Sequence, residues 1–426
     1  MFKDRRHMIE FGVGIAVILS MLLFGILYNT EKAYANLGRL LVGGLIGYAL
    51  ARSAFGFAGT VNRACQTGST KLMKAVSILF LLGGVVTCVM VLGGFGVEKL
   101  SHIGITWGLV IGATLFGFGM AFTVCCASGV FTDLAETPLK GLFALLFMGL
   151  GAFLGLGLKK AEWMQWIKEP FLGIPGAEKG SNFTEWFSWD GTKGILFSLI
   201  FTALLVAGVY ALSHLYENFR KKKGTYIGCR SEIDFDEEKT THVPSENKIN
   251  EAFYKAFVKP WSLTTGAIVI AIGYALLMII FKSGWGVSGP IGQWFARLIG
   301  LFGVPADAIK NFSGVDITTK FFDQAMYIQD LSIFLGALIA FLFAGNFTRD
   351  IKKRWLFNPL ELVLYAVGGI ILGIGFTIAG GCNAGGLFTP IAQFGVSGWI
   401  YLVFLVIGGF GGNWVRKQYQ KLYKDK

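Results

Sequence analysis

Cys-Asn-Ala-Gly-Gly-Leu-Phe-Thr at residues 382–389 matches Cys-Cys-Ala-Ser-Gly-Val-Phe-Thr at residues 125–132 as Cys, any, Ala, any, Gly, any, Phe, Thr. A second pair precedes these motifs in the same order: Arg-Ser-Ala-Phe-Gly-Phe-Ala-Gly at 52–59 and Lys-Ser-Gly-Trp-Gly-Val-Ser-Gly at 282–289. Two matches in one order are hard to explain by chance. The sequence therefore predicts an internal repeat.

The composition around these motifs is that of a membrane protein. Of the 426 residues, 54% are hydrophobic and 15% are charged, and the mean hydropathy is +0.59. Soluble proteins carry about 25% charged residues, and a membrane-spanning helix needs about 20 apolar residues. The chain is predicted to be an all-α polytopic membrane protein with about ten transmembrane helices. The predicted helices lie near residues 9–28, 37–53, 75–96, 104–122, 139–158, 194–214, 262–281, 329–345, 361–379 and 397–415.

The positive charges predict the orientation of these helices. The formal net charge is +12, and in membrane proteins Lys and Arg accumulate in cytoplasmic loops. The predicted helices place every basic cluster on one side, with both termini cytoplasmic. The charge therefore does not indicate a nucleic-acid partner. The clusters lie at residues 3–6, 52–74, 220–223, 349–354 and 416–424.

Three regions follow from this topology. Residues 1–214 form an N-terminal membrane repeat, residues 215–260 a cytosolic linker of alternating charge, and residues 261–426 a C-terminal membrane repeat. The motifs of the first repeat, at 52–59 and 125–132, then lie at the cytoplasmic side, and those of the second, at 282–289 and 382–389, at the external side. The prediction is two inverted repeats, an arrangement that places substrate sites near the middle of the membrane.

The glycine-rich motifs are predicted to be re-entrant half-helices. Each follows an apolar stretch without a charged loop, and irregular backbone at that depth must be buried in protein or line a cavity. The free N–H groups at the start of such a helix favour an anion. Gly56, Gly59, Gly286 and Gly289 are the candidate turn residues. The alternative is that these glycines only let helices approach closely.

The six cysteines suggest the chemistry. They contain no Cys-x-x-Cys pair and form no cluster with the four histidines, so neither a metal site nor a cofactor is predicted. Cys125 and Cys382 are equivalent in the repeat, whereas Cys126 and Cys65 fit either packing or further contact with a ligand. A thiol is a weak donor and a soft contact, suited to sulfur or selenium rather than to hard oxyanions.

The four motifs resemble those of the YeeE/YedE family of sulfur-compound permeases. The resemblance implies a non-enzymatic importer in the bacterial inner membrane, which hands thiosulfate or a related sulfur-bearing anion between cysteines. It also implies a cytosolic sulfur-carrier partner of the TusA or YeeD type. The candidate relay and binding residues are Cys125, Cys382, Cys65, Cys126, Gly56, Gly59, Gly286, Ser288, Gly289, Gly381 and Asn383.

Two positions depart from the family's pattern and leave alternatives open. The resemblance implies a further relay cysteine in a glycine turn, where this chain has Ala58 and Ser288. A selenium-compound transporter and a membrane-bound sulfur transferase are the alternatives, although a transferase needs a base beside a reactive cysteine and no histidine is near a motif. Asp133 and Glu136 fit either an exit gate or a solvated helix end.

Overall fold

The computed structural model describes residues 5–28, 33–174, 176–241, 247–348 and 359–424, and these ranges are helical, with isolated bridges but no β-strand. Eight of the described helices are long and apolar enough to cross a membrane. This confirms a polytopic helical membrane protein. The candidate spans are Arg5–Leu27, Lys71–Leu92, Pro138–Lys160, Ile195–Lys222, Leu263–Phe281, Ala325–Phe343, Glu361–Ala392 and Val396–Lys421.

Long membrane-length helices alternate along the chain with short helices and turns. In chain order the helices are α1 (Arg5–Leu27), α2 (Ala33–Arg52), α3 (Gly59–Thr67), α4 (Lys71–Leu92), α5 (Trp107–Thr123), α6 (Gly129–Glu136), α7 (Pro138–Lys160), α8 (Phe183–Trp186), α9 (Ile195–Lys222), α10 (Arg230–Thr241), α11 (Lys248–Phe253), α12 (Leu263–Phe281), α13 (Gly289–Leu301), α14 (Ala306–Ser313), α15 (Ala325–Phe343), α16 (Pro359–Ala379), α17 (Thr389–Ala392) and α18 (Val396–Lys424). Two π-helical segments, Tyr254–Val258 and Asn383–Phe388, precede α12 and α17. Short 3₁₀ turns lie at Val97–Lys99, Glu162–Lys168, Phe171–Gly173, Ala177–Lys179 and Phe321–Asp323.

Each of the ten predicted spans coincides with a helix. Two of these helices, α2 and α5, are not among the eight candidate spans. The α5 helix has 17 residues and its apolar sequence is shorter than a full span, and α2 packs against both α12 and α15. Both helices therefore pack within the helical bundle.

The four motifs share one backbone arrangement. In each, a long helix ends, one residue has positive φ, and a short helical segment follows within a few residues. A residue in the left-handed region commonly ends a helix. The helices that end in this way are α2, α5, α12 and α16, and the residues are Ala54 (φ 48°), Val124 (φ 59°), Lys282 (φ 53°) and Gly380 (φ 83°).

Glycines bring the central helices into backbone contact. A Cβ added to Gly112 in α5 would lie 2.4 Å from the amide nitrogen of Ala379, at the end of α16. A Cβ on Gly119, two turns further along α5, would lie 2.7 Å from Leu372. The two helices therefore cross in antiparallel directions with no room for side chains, as small residues allow in membranes.

The segment predicted as a linker packs against the N-terminal half. Helix α9 extends to Lys222, eight residues beyond its predicted end. In α10, Glu232 pairs with Arg63 at 3.1 Å, and in α9, Glu217 pairs with Lys74 at 2.8 Å. This end of the bundle thus carries a layer of ion pairs. The predicted basic cluster at residues 349–354 lies outside the described residues.

Candidate functional site

Cys382 lies in the buried centre of the bundle. Its exposed fraction is 0%, and it stands directly before the π-helical segment that follows α16. The Ser288 side chain and the backbone amides of Ala384 and Gly385 are within hydrogen-bonding reach of its sulfur. Gly380, with φ of 83°, ends α16 and turns the chain back towards the interior. The thiol therefore lies against polar groups within an apolar core.

Cys126, of the first half, lies within electrostatic range of Cys382. Both thiols are 0% exposed, and both are within the same range of Tyr401. The Gly129 amide, at the start of α6, donates to the sulfur of Cys126 at 3.3 Å, and the Ser128 hydroxyl lies at the same distance. The structure brings one thiol from each half to the same buried centre.

Cys125 contacts a different group. It is also buried, and its thiol is within hydrogen-bonding reach of the Asp133 carboxyl in α6. The Thr123 hydroxyl donates to its backbone carbonyl at 3.0 Å. Asp133, which the sequence left as either a gate or a helix end, therefore lies beside a thiol of the candidate site.

A cavity of about 310 Å³ reaches the residues around Cys382. Lys159, in the last turn of α7, and the first turn of α13 both line it. The N–H groups at the start of a helix have no partner within that helix and favour negative charge. A helix start and a lysine on one cavity make it suitable for an anion. The cavity is also lined by four of the predicted residues, Gly286, Ser288, Gly289 and Gly381, and by Gly385, which the sequence did not single out.

Two buried polar groups beside these motifs have no partner within the described protein. Asn383 is 1% exposed, and its amide donates to the sulfur of Met120 at 3.3 Å while its Oδ1 accepts no hydrogen bond. The indole Nε1 of Trp285 donates none. Most buried polar atoms in proteins are paired, so these two atoms are available to a ligand.

The glycine turns of the two halves meet through aromatic rings. The ring of Phe57, in the first turn, lies 6.0 Å from that of Trp285 in the second, and Trp285 lies 5.9 Å from Phe388. Gly56 and Gly59 do not line the cavity beside Cys382; their turn is closed by Arg63, which donates to the Ala54 carbonyl at 2.7 Å. The first turn therefore supports the centre from outside the cavity.

Cys65 lies apart from the other thiols. It is half-buried in α3 and lines a separate cavity of about 670 Å³, bounded by α9 and the last turns of α18. The predicted residues thus divide among three places: the buried thiols with their cavity, the turn at Gly56 and Gly59, and the cavity of Cys65.

Sequence reasoning missed three polar residues. Trp285 and Tyr401 were not singled out, because aromatic residues are common throughout this chain. Asp330 lies within α15, is 0% exposed, and has no partner for either carboxyl oxygen in the described structure. Ionisable residues within membrane spans usually have a function, so the single acid in the apolar run 325–343 was the signal for it.

The arrangement supplies weak, soft donors to a small ligand. Thiols and the Ser288 hydroxyl lie at the centre, whereas the Tyr401 hydroxyl already donates to the Gly381 carbonyl at 3.0 Å and the Gly129 amide to Cys126. Each thiol can donate one weak hydrogen bond to an anion without binding it tightly. Such a set is suited to passing an anion onward rather than to transforming it.

Comparison with known proteins gives a consistent family. A family model described as sulphur transport matches residues 52–411. The thiosulfate transporter TsuA of Spirochaeta thermophila is 25% identical over 381 residues, which are 88% of this chain and 97% of that protein. TsuA of Escherichia coli is 22% identical over 89% of this chain and 94% of its own length. The probable transporter YedE of Escherichia coli is 28% identical over 155 residues, 36% of this chain and 38% of that protein.

Proposed function

The chain belongs to the sulphur transport family, and we propose that it imports thiosulfate, or a related sulfur-bearing anion, across the bacterial cytoplasmic membrane. The observation that carries the proposal is that a buried thiol of each half, Cys382 and Cys126, lies in one buried core. The two relatives that match most of its length are named thiosulfate transporters, which supports this choice of substrate.

The route begins at the cavity beside Cys382. The anion enters against Lys159 and the start of α13, whose positive charge and free N–H groups offset its loss of hydration. Its terminal sulfur accepts a hydrogen bond from Cys382 and then from Cys126. Because an S–H donor is weak, neither contact holds the anion for long.

The route continues from Cys126 to Cys125. These thiols are consecutive in the chain, and Cys125 lies beside Asp133. We assign Asp133 to the cytoplasmic end of the relay, where its carboxyl accepts a hydrogen bond from the Cys125 thiol once the anion has left. Sulfate presents only oxygen to these donors, and a soft thiol favours sulfur over a hard oxyanion.

The orientation rests on the basic clusters. Both termini are cytoplasmic in this proposal, and residues 1–214 and 261–426 are inverted repeats with re-entrant half-helices. The antiparallel crossing of α5 and α16 supports the inversion. A cytosolic sulfur carrier of the TusA type would receive the anion at the face that carries α10.

The test is uptake of radiolabelled thiosulfate by cells that lack their own importers. Cys382→Ser and Cys126→Ser are each expected to lower uptake at least about tenfold, because the harder serine hydroxyl is a stronger donor that retains the anion, and a hydrogen bond to a charged group contributes about 1.5–3 kcal/mol. Cys88→Ser is the matched control, since Cys88 is buried in α4 and lies apart from the other thiols. Excess sulfate should not compete.

Uptake that survives both substitutions would refute the relay and leave the thiols as packing residues. Wild-type protein that is present in the membrane but takes up selenium compounds instead of thiosulfate would refute the choice of substrate. If maleimide labelling from outside the cell reached the loop before α10, the orientation would be wrong.

A further inference from the structure

The cavity that contains Cys65 is strongly cationic. Its volume is about 670 Å³, and it lies between α3 and the ends of α9 and α18. Arg220, Arg416 and Lys417 line it together with the amides of Gln66 and Asn413, and no acidic side chain of the described residues lines it. A small polar cavity with three positive charges favours an anion.

The two arginines are held in place by neutral groups. Arg220 donates to the carbonyls of Ala64 and Cys65 at 3.0 and 3.1 Å. Arg416 donates to the Ala121 carbonyl at 2.8 Å, and its Nε has no partner in the described protein. Carbonyl groups fix the direction of a guanidinium but do not neutralise its charge. The positive charge of the cavity is therefore available to a ligand.

A neighbouring cavity shows the contrasting case. It has a volume of about 270 Å³ and is lined by Arg63, Lys71 and Lys74. Each of these cations pairs with a carboxylate of α9 or α10 at 2.8–3.1 Å. The acidic residues of α9 and α10 thus neutralise one cationic cavity and leave the charge of the other available.

A row of amides, of which Asn413 and Asn62 are buried, runs from the Cys65 cavity towards Cys382. Gln66 donates to Asn413 at 3.0 Å, Asn413 donates to Asn62 at 2.8 Å, and Asn62 donates to the Met120 carbonyl at 2.9 Å. The sulfur of Met120 accepts from Asn383, the residue after Cys382. Buried polar side chains are costly in a membrane protein and usually mark a functional path. This row therefore runs from the wall of the Cys65 cavity to the residue that follows Cys382.

We propose that Arg220, Arg416 and Lys417 form a binding site for a small divalent anion, which receives the transported anion after it leaves the thiols. The proposal rests on the proposed import of a sulfur-bearing anion. On that basis the cavity is the last station of the route, and the amide row keeps the path to it polar. Cys65 lies in the wall of this site.

Cys65 also provides the means to test the site. Burial raises the pKa of Cys65 to about 11, although the charge of Arg220 opposes the shift. Thiosulfonate reagents react with the thiolate, so labelling is measured at alkaline pH. In a Cys229→Ser background, which removes the other half-buried thiol, inside-out vesicles are treated with an anionic or a cationic ethyl methanethiosulfonate at low salt.

The anionic reagent is expected to modify Cys65 at least about tenfold faster than the cationic one, because three nearby charges attract one and repel the other. Sulfate, used as an unreactive divalent anion, should slow the modification. Arg416→Gln combined with Lys417→Gln should bring the two rates together. Lys71→Gln is the matched control, since Lys71 is already paired with Asp236, and it should leave the ratio unchanged.

Equal rates for the two reagents, or a ratio that the double substitution does not alter, would overturn the proposal. If the double variant does not fold, Lys417→Gln alone serves instead. The Lys417 side chain is exposed, so its replacement should not affect folding, and the loss of its charge should still lower the ratio of the two rates. Labelling reports anion binding without transport. If sulfate slows the labelling of Cys65 but the protein takes up no thiosulfate, the proposed function is refuted and this anion site is retained. If the protein takes up thiosulfate but sulfate does not slow the labelling, the site is refuted and the proposed function is retained.

Discussion

Replacing Gly381 by alanine is expected to destabilise the turn that holds Cys382. A Cβ at this position would lie 2.6 Å from the amide nitrogen of Gly386 and 2.9 Å from the carbonyl carbon of Gly385. Both are backbone atoms, and Cβ atoms in proteins essentially never come within 3.0 Å of another heavy atom. The backbone must shift, at a cost of about 1–3 kcal/mol for an overpacked core.

Gly385→Ala is the matched control, four residues further on. There the nearest atoms to an added Cβ are the Gly286 Cα at 3.5 Å and the Trp285 carbonyl oxygen at 3.7 Å. These are ordinary contacts, so stability should change by less than about 0.5 kcal/mol. The methyl group nevertheless enters the cavity of about 310 Å³. A methyl group is about as large as a water molecule, which takes about 30 Å³. It would therefore occupy part of the space that the anion needs and should lower thiosulfate uptake.

The two variants separate stability from transport. Thermal unfolding of the purified proteins in detergent should show a lower midpoint for Gly381→Ala alone, and uptake should fall in both. If both variants unfolded at the wild-type temperature, the backbone contact between Gly381 and Gly386 would be disproved. If Gly385→Ala transported like the wild type, the cavity would not be on the route.

Three further perturbations follow from individual contacts. Glu232→Gln removes one partner of a buried ion pair, so it should lower the free energy of unfolding by about 3–5 kcal/mol and speed limited proteolysis of α10. Asp236→Asn, in an exposed pair, should lower it by less than about 1 kcal/mol. Equal rates of proteolysis for the two variants would contradict this. Thr389→Val removes two hydrogen bonds to the backbone of Trp285 and should cost about 1–3 kcal/mol in thermal unfolding, and an unchanged midpoint would count against these bonds. Because the carboxyl oxygens of Asp330 have no partner in the described structure, Asp330→Asn should change the free energy of unfolding by less than about 0.5 kcal/mol. Loss of folded protein would show that the carboxylate is paired.

The positions of the long helices could be predicted because membrane spans are set by the length of an apolar run. Their ends could not, where polar residues continue a helix. Helix α9 runs beyond residue 214 because Glu217 pairs with Lys221 one turn later and with Lys74 in α4. The pair with Lys74 joins residues far apart in sequence, so composition alone suggested a linker there.

The candidate thiols could be listed from the sequence, but not ordered. Cys125 and Cys126 are adjacent, and the repeat aligns Cys125 with Cys382. In the structure Val124 has a φ of 59° and ends α5, which turns the two cysteines in different directions. Cys126 then accepts from the start of α6, and Cys125 lies beside Asp133. A pattern of residue types does not show in which direction each of two adjacent side chains points.

The repeated turns explain why thiols and amides concentrate at one place. A continuous membrane helix satisfies its own backbone, so the chain can offer N–H groups to an anion only where a helix is interrupted. Positive-φ residues interrupt four helices, and the contacts of Phe57 with Trp285 and of Trp285 with Phe388 bring three of the resulting turns together. The fourth contributes Cys126, which is buried in the same core as Cys382. Since no single turn supplies all of the donors, loss of either thiol should break the same route, and the Cys126→Ser, Cys382→Ser double variant should transport about as poorly as the worse single variant.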